Sequence, residues 1–190
     1  QIPDGNRELL AKTLFCFENP PGTKEVAGSQ DAIGLVYPGL NCLNYGGGEY
    51  WPHEIISEQG EAVLQFLESR LWLWPLGERV QGYSVLENTR VSGEAAAALA
   101  AAAQKLFAAV RELDAVAVGQ SMTASFEAQI AMFPNMTSEH INQTINEIYA
   151  MHPWVLGHKL SGAGGGGYLV LFAEQPIPNT LQIKIRRAEQ

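Results

Sequence analysis

The run Lys159-Leu-Ser-Gly-Ala-Gly-Gly-Gly-Gly-Tyr168 carries the residues best suited to grip a ligand through the backbone. Six of them have nothing larger than a methyl side chain, so their amides are uncovered and positive φ is accessible at little steric cost. Successive amides in such a turn form a concave nest of donors, and the biological anion most often read by one is phosphate. A linker or a plain turn between two strands is the other reading. Linkers are usually flanked by polar sequence, whereas Trp154-Val-Leu156 precedes this run and Leu169-Val-Leu-Phe172 follows it. Glycines inside an apolar pattern point to a close backbone approach. Lys159, at the entrance, either steers phosphate or points to solvent. A second segment, Gly28-Ser-Gln-Asp-Ala-Ile-Gly34, sets Asp31 among small residues that leave room for a substrate. Its carboxylate either faces that substrate or stabilises the first turn of a helix. His140, His152 and His158 are too scattered for a metal site, and a lone histidine is usually structural.

The elements that must position these segments follow from periodicity and capping residues. Asp4 is placed to cap a helix from Asn6 to about Phe17, whose apolar face is Leu9, Leu10, Leu14 and Phe17. Ser29 is placed to cap a short helix with Asp31 in its first turn. Residues 39–45 and 50–56 read as two strands joined by the glycines at 46–48. A helix to about Glu68 precedes the uncharged strand Leu71-Trp-Leu-Trp74, on which Trp72 and Trp74 are expected on opposite faces. Ser92 caps an alanine-rich helix to about Leu113, and helices over Val116 to Met132 and Ser138 to Met151 follow. Val155 to Leu160 and Tyr168 to Ala173 become strands on either side of the glycine run. Helices and strands in mixed order, without regular βαβ alternation, predict an α+β fold.

Composition narrows the partners. The 190 residues are 46% hydrophobic and 17% charged, which supports an ordered globule of one domain or two small ones. A net charge of −8, with the one local basic cluster at Lys184-Ile-Arg-Arg187, weighs against nucleic acid. Cys16 and Cys42 sit in apolar settings and read as buried free thiols of a reducing, cytoplasmic compartment. No apolar run approaches the length of a membrane span.

Taken together, the motifs resemble a known superfamily. Lys159-Leu-Ser-Gly-Ala-Gly-Gly-Gly-Gly167 is similar to the third signature of the galactokinase, homoserine kinase, mevalonate kinase and phosphomevalonate kinase (GHMP) superfamily. Gly28-Ser-Gln-Asp-Ala-Ile-Gly34 resembles the segment carrying the catalytic aspartate of its sugar kinases. Leu73-Trp-Pro-Leu-Gly77 with Arg79 resembles the strand and Gly-x-x-Arg turn of the heptose and fucose kinase branch. The serine-rich Pro-x-x-x-Gly-Leu-Gly-Ser-Ser-Ser type loop that holds ATP phosphates in the family has no counterpart in residues 1–27. The expectation is therefore the C-terminal portion of a larger kinase, inactive alone and partnered by its remaining N-terminal part. Residues 1–80 are expected to end an S5-domain-2-like N-terminal domain and residues 81–190 to form a ferredoxin-like C-terminal domain.

The resemblance implies an ATP-dependent sugar kinase that uses Mg2+ and transfers the γ-phosphate to a hydroxyl of a sugar or sugar phosphate. Asp31 corresponds to the base beside the acceptor hydroxyl. Ser161, Gly162, Ala163, Gly164, Gly165 and Gly166 line the phosphates. Arg79, Gln30 and Gly34 are the substrate-binding candidates, and Glu18 is the candidate metal ligand. The alternative is a non-catalytic relative that binds sugar and nucleotide as a sensor or partner module.

Overall fold

A computed structural model describes residues 5–24, 26–78 and 84–188. The chain divides into two compact units, residues 1–64 with 185–190, and residues 65–184. The division falls near residue 64 rather than at residue 80, because the strand over residues 71–77 is hydrogen-bonded to strands much later in the chain.

In the first unit, helix α1 (Arg7–Glu18) is capped by Asn6, whose side chain accepts from the Leu9 amide. The expected cap, Asp4, lies outside the described residues. Asn19 ends α1 and clamps the returning chain: its Oδ1 accepts from the Ala27 amide at 2.7 Å and its Nδ2 donates to the Ala27 carbonyl at 3.3 Å. That pair closes the loop that delivers helix α2 (Gln30–Val36). Strands β1 (Leu40–Asn44) and β2 (Glu54–Glu58) form an antiparallel hairpin, Cys42 opposite Ile56. Ser29 precedes α2 but makes no side-chain cap. Its buried hydroxyl instead donates to the Tyr50 carbonyl and lies 2.9 Å from the Tyr45 hydroxyl. The hairpin loop thus holds the start of α2. Cys16 is exposed and Cys42 half-buried, both as free thiols, so the expectation of two buried cysteines fails at Cys16.

The second unit is built on a four-stranded antiparallel sheet. Helix α3 (Glu61–Glu68) leads into β3 (Leu71–Gly77). Helices α4 (Gly93–Arg111), α5 (Ala115–Met132) and α6 (Glu139–Met151) precede β4 (Val155–Leu160), β5 (Gly167–Ala173) and β6 (Leu181–Gln182). The strand order is β4-β5-β3-β6. Ser92, Asp114 and Ser138 cap the three long helices by accepting from Ala95, Ala117 and Ile141 amides. The short edge strand β6 carries too little pattern to be read in advance.

Leu169, Leu171 and Ala173 of β5 join Phe126, Ile141, Ile145 and Ile148 of α5 and α6 in one core. Burying each large aliphatic side chain is worth roughly 1.5–3 kcal/mol relative to exposure. Trp72 and Trp74 both pack against that same core, not on opposite faces, since side chains two residues apart in a strand point the same way. The intervening Phe172 is fully buried and meets Phe66 of α3, ring centroids 5.8 Å apart.

Helix α5 reaches β4 through two facing glycines. A Cβ on Gly157 would lie 2.5 Å from Gly119 C and 2.6 Å from Gly119 Cα; one on Gly119 would lie 2.5 Å from Leu156 C. Backbone touches backbone there, and β4 shifts register between Val155 and Gly157. Deeper in the same layer His158 is only 7% exposed, with Nδ1 2.9 Å from the Tyr149 hydroxyl and its ring against Phe126.

Burial lowers His158 from its ordinary value to about 4. Above pH 6.5 the ring is neutral folded or unfolded and nothing changes. Between pH 6.5 and about 4 the unfolded chain takes up a proton that the native ring refuses, so stability falls as pH falls, by about 3 kcal/mol once pH is below both values. Urea midpoints at pH 7 and pH 4.5 should therefore diverge more for the wild type than for His158→Gln. An equal divergence in the two proteins would contradict this.

Candidate functional site

The glycine run is a connection between antiparallel neighbours. The Ser161 amide donates to the Tyr168 carbonyl at 3.0 Å, closing the last rung of β4 and β5. Beyond it Gly162, Gly164, Gly165, Gly166 and Gly167 all have positive φ, between 68° and 152°. A left-handed residue other than glycine costs energy, and a succession of them forces glycine. Two contacts fix the loop on the short 3-10 helix Pro134–Met136. The Gly165 amide donates to the Met136 carbonyl at 2.8 Å, and a Cβ on Gly164 would collide with that carbonyl group, 2.9 Å from its carbon. The donor set is thus narrower than the sequence suggests: the Ser161 and Gly165 amides are spent within the protein.

The loop opens onto a cleft of about 540 Å³ lined by Pro75, Gly77, Glu78, Ser161, Gly162, Ala163, Gly166, Gly167 and Tyr168. β3 supplies one wall, because Pro75 is opposite Tyr168 and Gly77 opposite Gly167 in the β3–β5 ladder. Pro75 and Tyr168 fall inside the motifs read from the sequence but carry no site role there, and Glu78 lies outside them; what brings Pro75 to Tyr168 is strand pairing, which a single sequence does not display. Lys159 takes neither role expected of it. Its ammonium donates to Gln129 Oε1 at 2.6 Å and Ser125 Oγ at 3.2 Å on α5, and burial lowers its pKa.

The first unit carries the other candidates. Asp31 lies exposed in the first turn of α2, where a carboxylate meets the positive end of the helix dipole. Gln30 is exposed and its side-chain amide folds back over Gly28. A Cβ on Gly34 would meet nothing within 4 Å, so that face of α2 is open. Glu18, also exposed, ends α1 one residue before the Asn19 clamp. Arg79 lies outside the described residues. Among the described residues, no three His, Cys, Asp or Glu side chains come together to hold a metal ion, and no helix is long and apolar enough to cross a membrane.

This arrangement of helices and sheet recurs in solved kinases. A mevalonate kinase from Methanococcus jannaschii superposes with a TM-score of 0.63 at 19% identity, over 98% of this chain and 58% of its own. The chain has the fold of part of that kinase. Another mevalonate kinase matches with a TM-score of 0.59 at 20% identity, over 90% and 50% of the two chains. A Campylobacter jejuni protein assigned to the sugar kinases gives 0.58 at 19%, over 90% and 46%. The chain thus spans about half the length of these kinases. No protein-family model and no curated protein sequence matches it. Identity this low speaks for a shared fold alone.

Proposed function

We propose that this chain is part of an ATP-dependent kinase that transfers the γ-phosphate to a hydroxyl of a sugar or sugar phosphate of the heptose or fucose type. The observation that carries the reading is the succession of positive-φ glycines, held on the Met136 carbonyl and opening onto a cleft, in a chain with a kinase fold. Phosphoryl transfer asks the protein for positioning and for fixed dipoles around the transferred group. The amides of Gly162, Ala163 and Gly166 supply such dipoles, and the Ser161 hydroxyl adds a donor.

Asp31 acts on the acceptor side. A carboxylate is a weak base toward an alcohol, so its contribution is to orient the hydroxyl and take its proton late in the transfer. Gln30 and Gly34 lie on the same short helix, where Gly34 leaves room for the acceptor, and Arg79 contacts a sugar phosphate. Mg2+, when bound with ATP, neutralises charge on the phosphates. The donor set fits that ion: magnesium is held largely by phosphate oxygens with one or two carboxylates, and Glu18 offers one exposed carboxylate rather than a cage.

The loop assignment is tested with Gly164→Ala. A Cβ there is strained by a φ of 80° and collides with the Met136 carbonyl, so the loop must leave its seat. Pyrophosphate titrated into the 190-residue chain should bind the wild type and bind the variant at least tenfold more weakly, while far-ultraviolet circular dichroism stays unchanged. Equal binding by both proteins, or none by the wild type, would remove the loop from the phosphate site.

A further inference from the structure

Both ends of the glycine loop are tied to one continuous stretch of chain, and the ties form a closed circuit. At the stem, the Lys159 ammonium donates to Gln129 Oε1 at 2.6 Å and to Ser125 Oγ at 3.2 Å. Ser125 and Gln129 stand four residues apart and so share one face of α5. The main-chain carbonyl of that same Gln129 accepts from the Phe133 amide at 2.9 Å, and the Phe133 carbonyl accepts from the Met136 amide at 3.0 Å. The Met136 carbonyl in turn takes the Gly165 amide, within the loop, at 2.8 Å. From Gly165 the chain leads back to Lys159, which stands two residues, about 7 Å of strand, before Ser161.

Cohesion alone does not account for a lysine at this position. Helix α5 and β4 already meet backbone to backbone at Gly119 and Gly157, and Leu160 is part of the core. An ammonium is strongly hydrated and rides on a flexible four-carbon stem, so taking it from water requires acceptors in fixed places. Helix α5 supplies two, one of them on Ser125, which is only 5% exposed. Hydrogen bonds of this kind add direction, which apolar packing lacks. We infer that Lys159 and Gln129 are positioning residues for the phosphate loop: their bond fixes the stem against the element that carries the Met136 seat, so the amides of Gly162, Ala163 and Gly166 are set before an anion arrives. The inference rests on the proposed phosphate role of the loop and deepens it. Neither side chain is among the described residues lining the cleft; they act through the loop backbone. A loop ordered in advance loses less freedom on binding, and the difference appears as affinity.

The test titrates pyrophosphate into the 190-residue chain well below its unfolding transition, where a variant that is merely less stable binds as the wild type does. Gln129→Leu keeps a good helix former of similar size on α5, and Lys159→Met keeps an unbranched side chain without the charge. Each should weaken pyrophosphate about fivefold, with unchanged circular dichroism. The dependence on salt should also stay unchanged, because no ion pair with the phosphate is lost. The double variant should bind no more weakly than the weaker single one, since both substitutions break the same bond. Should Lys159→Met fail to fold, Gln129→Leu decides alone. Binding by Gln129→Leu within about twofold of the wild type overturns the inference and leaves the phosphate loop standing. A Lys159→Met variant that loses salt dependence while Gln129→Leu binds normally makes Lys159 a direct phosphate contact and overturns it as well. No binding by the wild type removes the loop from the phosphate site and takes the inference with it.

Discussion

Gly157→Ala is expected to cost the fold about 3 kcal/mol or more. The new Cβ would be placed 2.5 Å from Gly119 C and 2.6 Å from Gly119 Cα, and both sides of that contact are main chain. A clash with a flexible side chain is relieved by a rotamer change; here α5 or β4 itself must move. Inserting one methyl group into a packed core typically costs about 1–3 kcal/mol, and a contact with no movable partner belongs at the upper end or beyond. For a chain of this size about 3 kcal/mol corresponds to a fall in Tm of roughly 6–12 °C. Thermal unfolding of Gly157→Ala and Gly119→Ala would measure it. A loss below about 1 kcal/mol in both would mean that helix and strand do not meet backbone to backbone. The effect should extend to function, because β4 runs from Gly157 directly into Leu160 and the glycine loop.

Asp31→Asn should lower phosphoryl transfer by about 10²- to 10⁴-fold, the usual contribution of a positioned proton acceptor. The asparagine keeps the size of the side chain and its hydrogen-bonding reach but no longer takes a proton. Because Asp31 is exposed at the start of α2, the substitution should lower Tm by no more than about 4 °C. It removes only a favourable helix-dipole charge, worth about 0.3–1 kcal/mol. Turnover of the gene product containing these residues, assayed with ATP and L-fucose, galactose or a heptose phosphate, is the measurement. Unchanged turnover would remove Asp31 from catalysis and leave it as a helix-end aspartate, and a protein with no turnover on any acceptor would favour the sensor reading.

What a single sequence displays and what it hides separate along one physical line: local against non-local interactions. Ser92 and Ser138 read correctly as caps, since an N-cap bond spans three residues. Ser29 has the same local signature, yet its hydroxyl is taken by Tyr45 and Tyr50, brought to it by a hairpin loop. Lys159 stands at a strand end in a sequence that gives no hint of Gln129 and Ser125, a helix away. Lone glycines at 119 and 157 signal close approach; only the fold says that they approach each other. The positive-φ geometry of the glycine loop was legible because it belongs to residue type. The cleft wall at Pro75 and Gly77 was not, because it arrives by strand pairing.

The turning of Lys159 into the helix layer has an effect on how the cleft finds its ligand. With its ammonium bonded to α5 and no cationic side chain among the described residues of the cleft, any phosphate would be held there by main-chain dipoles, in a chain of net charge −8. Dipole fields die away faster with distance than those of ions, so such a site does not draw anions from bulk solution. It acts as a short-range filter, which holds a phosphate once it has arrived and adds little to the rate at which one arrives.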